Sequence, residues 1–203
     1  MKKLTLFLIP ALLVFSIVFT GCGSSHEVSR IDPNQTVDLS GNWNDTDSRL
    51  VAEEMISDVV SRPWLSDFVS KYGKKPVVIV GKIRNKSSEH IEVETFIKDI
   101  EKELINSGKV RFVASAEERA QVRAERKDQQ DFASPETFKK FYKELGADYL
   151  LSGVISSVND KYEGDEVKYY QVDLQLIDIE TNEKVWIGDK KIKKFVSQDG
   201  TTL

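Results

Sequence analysis

In the last third of the chain, Tyr170, Val172, Leu174 and Leu176 alternate with Gln171, Asp173 and Gln175. A period of two sends the two sets to opposite faces of a β-strand, so one face needs apolar cover and the other meets water. The runs Tyr149–Val158 and Val185–Ile192 on either side also read as strands. Glu163-Gly164-Asp165 and Glu180-Thr181-Asn182-Glu183 supply hairpin turns between them. Whatever precedes this β region has to furnish its cover.

The preceding residues are built for that. Asn44-Asp45-Thr46-Asp47 offers N-cap oxygens, and Val51, Ala52, Met55, Ile56, Val59 and Val60 recur at three-to-four spacing as a first helical stripe. Pro63 opens a second helix with stripe Leu65, Phe68, Val69 and Tyr72, closed by Gly73. Pro76–Ile83 is a nearly continuous apolar run that suits a strand buried on both faces. Phe96, Ile97, Ile100, Leu104 and Ile105 predict a helix ending at Gly108, and Val110–Ala114 a further strand. Ala116 to about Gln130 is helical by propensity, yet its only apolar stripe is Ala116, Ala120 and Ala124, so it should pack weakly. Ser134-Pro135 then starts a helix carrying Phe138, Phe141, Tyr142 and Leu145, stopped by Gly146. The predicted order is α-α-β-α-β-α-α-β-β-β: an α/β (α+β) domain with a mixed β-sheet flanked by helices.

The domain is expected over 40–203. Residues 1–21 read as a signal peptide: Lys2-Lys3, then an apolar run from Leu4 to Phe19 that is short for a membrane span and broken by Pro10. Phe19-Thr20-Gly21-Cys22 places small residues before a lone cysteine, a pattern resembling the bacterial lipobox, although Phe19 stands where leucine is usual. That resemblance implies cleavage before Cys22 and lipid attachment to it. Residues 22–39 are polar and without apolar period, a flexible linker.

Charge and residue types exclude several functions. The net charge is −4, and removal of Lys2 and Lys3 with the signal takes it to −6. Nucleic-acid binding needs clustered cations, so it is not expected. There is no Gly-x-Ser-x-Gly, Walker loop, His-Glu-x-x-His or cysteine pair, and histidine occurs only at 26 and 90. No catalytic residue, metal ligand, cofactor or small-molecule substrate is therefore assigned. Glu53/Glu54, Glu101/Glu103 and Glu117/Glu118 fall on polar helix faces as solvated charge, and Lys190, Lys191, Lys193 and Lys194 read as protection of an edge strand. His90 belongs to the loop leading into a helix; it is either a polar loop residue or a functional one, a contact for a partner or a pH sensor. Trp43, polar on both sides, either pins the linker to the domain or anchors a partner.

Four stretches carry a wider likeness: VDLSGNWNDTDSRLVAEEM (37–55), PVVIVGKIRNKSSEHIEVETFIKDIEKELINSGKVRFV (76–113), GADYLLSGVISSV (146–158) and the ending YYQVDLQLIDIETNEKVWIGDKKI. Together they resemble the LpoB family, lipoprotein activators of penicillin-binding proteins. The resemblance implies a fold like the N-terminal domain of TolB and the curli-secretion lipoproteins. It also implies a non-enzymatic protein that binds a class A (bifunctional) penicillin-binding protein and regulates peptidoglycan synthesis. Its place would be the outer membrane facing the periplasm, with the inner membrane as the alternative. A subunit of a curli-type secretion or envelope complex is the competing reading. The linker of about 20 residues spans at most ~70 Å at ~3.3–3.6 Å per residue, short beside the long linkers of enteric members. No docking residues carry over, because no short motif marks them.

Overall fold

The computed structural model describes residues 27–134, 136–137, 139 and 144–197. The signal segment, Cys22 and His26 lie outside them, as do Phe138, Phe141 and Tyr142 of the expected fourth-from-last element. Chain contacts divide into two units, Met1–Gln35 and Thr36–Leu203. In the first, the Asp32 carbonyl accepts from the Gln35 N–H at 3.0 Å in a single turn.

The second unit runs α1 (Asp45–Val59), α2 (Pro63–Tyr72), β1 (Val77–Asn85), α3 (Val93–Asn106), β2 (Arg111–Phe112), α4 (Ala116–Phe132), β3 (Tyr149–Tyr162), β4 (Asp165–Asp178) and β5 (Lys184–Ser197). One five-stranded sheet is ordered β2-β1-β3-β4-β5. β1 is parallel to both neighbours, whereas β3, β4 and β5 are antiparallel, so the sheet is mixed.

Helix α1 begins where the sequence offers oxygens. The Asn44 side chain accepts from the Asp47 N–H, and the Asp47 carboxylate accepts from the Asn44 N–H, a reciprocal cap. Its stripe Val51, Ala52, Met55, Ile56 and Val59 is buried. Packing continues through Phe96, Ile100 and Leu104 of α3 and Leu151, Ile155, Val172, Leu174 and Leu176 of the sheet. Full burial of such a side chain is worth ~1.5–3 kcal/mol, so this layer supplies most of the cohesion.

α1 also runs along β5. Trp186 Nε1 donates to Asp58 at 2.8 Å, Lys190 pairs with Glu54, and Lys194 pairs with Asp47 at 2.7 Å. Two of the four lysines read as edge protection thus tie the helix to the strand. Only Lys191 and Lys193 stand on the outward face.

Three local expectations shift. In α2 it is Trp64 and Phe68 that are buried, both ringed against Tyr149, while Val69 and Tyr72 stay largely exposed. A helix of 10 residues crossing a sheet end touches it with a narrow strip. β1 is buried on both faces only at Val77 and Val78; further on Val80 and Ile83 are buried on either side of a shift in its pairing with β3, with Lys82 and Arg84 exposed. In α3, Ile105 is exposed, so its stripe closes at Leu104. α4 has no buried residue, in line with its thin alanine stripe.

A candidate site where the linker joins the domain

Trp43 and the His90 loop come from distant parts of the chain, and the structure joins them through the side chain of Glu89. The Trp43 N–H donates to Glu89 Oε2 at 3.1 Å, one residue before His90. The Trp43 ring is half-buried, edge-on to Phe96 at 6.1 Å and to Tyr170 at 5.7 Å, and its Nε1 donates to Ser48 Oγ at 2.8 Å. The indole is therefore occupied by the domain's own residues. The His90 side chain is exposed.

Glu89, not His90, turns inward. Besides Trp43, its carboxylate accepts from the Tyr170 hydroxyl at 2.8 Å and from Lys168 Nζ at 3.0 Å. Lys168 and Glu89 are 8% and 14% exposed, so this is a desolvated ion pair with its remaining capacity filled by hydrogen bonds. Lys168 also donates to Asn42 Oδ1. Directly opposite on β5, Lys194 pairs with Asp38 at 2.6 Å and Asp47 at 2.7 Å and donates to the Asn42 carbonyl at 3.2 Å. Val37–Asn44 thus forms a strap held down by two lysines of the sheet. Gly41 makes the close approach possible: its φ is +68°, and a Cβ there would collide with Val196.

The electrostatics follow from this geometry. Burial pushes the Glu89 carboxyl up, but hydrogen bonds from Tyr170, Trp43 and Lys168 outweigh it and hold it below the usual carboxylate range. Burial lowers Lys194, and its bonds to Asp38 and Asp47 reverse that to a net rise. Burial first, and Glu89 second, keep the Tyr170 phenol protonated. A depressed carboxylate stabilises the fold above its unfolded pKa of ~4.3, and that contribution fades as pH falls through the folded value. A raised lysine stabilises below ~10.4 and loses its contribution as pH climbs through its folded value. The melting midpoint should be nearly flat between about pH 5 and 9 and fall on both sides. In Glu89→Gln the acid-side fall should shrink, and an unchanged acid limb in that variant would show that the strap is not what titrates.

Chemically, each ionisable group of the strap is bound to another, which suits a fixed joint and not proton transfer to a substrate. Among the described residues, no group of three or more His, Cys, Asp or Glu is placed to hold a metal ion. A trough of about 660 Å³ at the opposite end of the sheet is lined by Trp64, Phe68, Tyr72 and Tyr149 with Asp67 and Lys71. Burial pushes the Tyr149 phenol there up to about 12, so it stays protonated. No described helix is long and apolar enough to cross a membrane.

Sequence reasoning missed Glu89, Lys168 and Lys194. The signal was present for Lys168, which falls in phase with Tyr170, Val172, Leu174 and Leu176 on the buried side of β4. A lysine on a buried phase asks for a partner.

Among the described residues, four helices and a five-stranded mixed sheet, with the polar strap across one end, make an α+β domain. A family model described as "Peptidoglycan-synthase activator LpoB" matches residues 47–192, and the chain belongs to that family. Among solved structures, the LpoB C-terminal domain from Escherichia coli is similar at 20% identity, covering 75% of this chain and 99% of that one, with a TM-score of 0.43. The NMR structure of E. coli LpoB is similar at 19% identity over 90% and 86% of the two chains, TM-score 0.40. Lipoprotein GNA1162 from Neisseria meningitidis is similar at 14% identity over 62% and 88%, TM-score 0.37. No curated protein matches.

Proposed function

We propose that this protein binds a class A (bifunctional) penicillin-binding protein and raises its rate of peptidoglycan synthesis without catalysing any step itself. The match to the synthase-activator family across residues 47–192 carries this reading. A domain whose inward-turned ionisable groups at the strap are bound to each other changes a rate by preferring one state of an enzyme. Lipid on Cys22 would hold it on a membrane, the outer membrane facing the periplasm. The apolar segment ending in Gly21-Cys22 supports that anchoring.

The test is glycan polymerisation from lipid-linked precursor in detergent. The protein alone should produce nothing. Added to its own organism's bifunctional synthase, it should accelerate polymerisation along a curve that saturates with occupancy. Cys22→Ala should stimulate equally in detergent yet leave the membrane fraction in cells. A flat rate with no measurable binding would reject the activator reading.

A further inference from the structure

β1 makes its last pairing with β3 at Asn85↔Ile155. Beyond that point β3, β4 and β5 continue as a three-stranded ribbon over 156–162, 165–171 and 191–197. The inner side of this ribbon carries Lys168 and Lys194, buried beneath the strap and the Glu89 loop. On the outer side, Val158, Tyr162 and Phe195 are 66%, 74% and 66% exposed. The register sets Val158 opposite Tyr169 and, on the next outward rung, Val167 opposite Phe195, so these four side chains make a diagonal apolar patch across the three strands, with Tyr162 one rung nearer the tip.

Two lysines are thus buried on the inner side, while the outer side exposes large apolar side chains, with Asp160 opposite Val167 and Lys193 opposite Tyr169 on the same face. An isolated exposed apolar residue means little, but a contiguous patch backed by buried lysines has no folding purpose. Aromatic side chains on such a face are the kind that dominate binding energy. The strap and the ion pairs hold the ribbon from behind, so little would be lost in ordering it on contact.

The rim says what could sit there. Glu163 and Gly164, at φ +47° and +94°, make the tight turn at the tip. Asp160, Glu163 and Asp165 surround it, all exposed, whereas Lys161 is paired with Glu166. An acidic tip is repelled by the anionic headgroups of a bilayer and attracts basic protein side chains.

We propose that the outer face of this ribbon is where the synthase docks, through a partner surface with an apolar centre and basic side chains opposite the tip. This rests on the activator reading above. The test is binding and stimulation of the synthase by the full chain and three variants. Val158→Lys/Phe195→Ala should weaken binding at least tenfold and raise the half-maximal stimulating concentration alike, with the melting midpoint unchanged. Asp160→Lys/Asp165→Lys, which touches no packing, should weaken binding several-fold and flatten its salt dependence. Ile187→Ala, exposed on the same face toward the other end of β5, should bind as wild type. If wild type binds and both double variants bind equally well, the surface is wrong and the activator reading stands. If wild type does not bind, both fall. Variants that lose self-association while keeping synthase binding would assign the face to a second copy and overturn the proposal.

Discussion

Lys168→Ala should destabilise the domain by ~3–5 kcal/mol, because it leaves the Glu89 carboxylate desolvated with no counter-charge. The pair is 3.0 Å apart and 8% and 14% exposed, well outside the regime of surface pairs. Such surface pairs are worth only ~0–1 kcal/mol. Tyr170 and the Trp43 N–H would still bond the carboxylate, yet neither neutralises it. Glu89→Gln in the same background should recover part of the loss, since the uncompensated charge is gone. Urea unfolding of the two single variants and the double variant closes a cycle that isolates the coupling. A loss under ~1 kcal/mol for Lys168→Ala would place the pair in the weak, solvated class.

Phe96→Ala should cost about as much, ~3–5 kcal/mol, by a different route. Phe96 is 0% exposed and lies against the Trp43 indole, so truncation opens a void between α3 and the strap. Tryptophan fluorescence gives a second readout, since Trp43 would face the new cavity, although Trp64 and Trp186 contribute a constant background. The unfolding midpoint should drop with little change in the denaturant slope. If stability falls by less than ~1 kcal/mol, α3 is not seated beneath the strap as described.

Much of the domain could be read from spacing alone. The alternation in β4 and the stripe of α1 placed their buried faces correctly because each element is long and rests on a continuous layer. α2 defeated the same reasoning: short and crossing a sheet end, it buries Trp64 and Phe68, whereas periodicity pointed to Leu65, Phe68, Val69 and Tyr72. The strap was only half legible. Asn44 announced a cap, and Trp43 in its polar setting offered a joint as one of two readings, but Glu89 joins Lys168 across 79 positions of sequence. No local pattern encodes so distant a pair. The lysines of β5 do lie on an edge strand, but composition cannot say which face of it each side chain takes. Register can, and it sends Lys190 and Lys194 toward α1 and the strap.

The strap also sets how the domain would answer a pull from its N-terminal side. Load entering at Thr36 meets Asp38 first, bonded to Lys194 and to the Asn44 side chain, and then Asn42, bonded to both lysines. These attachments sit on neighbouring positions of β4 and β5, where Lys168 lies opposite Lys194. Tension is thus handed to two paired strands at once, and their ladder shares it along 14-residue lengths. The reciprocal cap at Asn44 stands between that load and the first turn of α1. Because Trp43 belongs to the strap and packs on Phe96 and Tyr170, a load that peels the strap away also draws that ring out of the core.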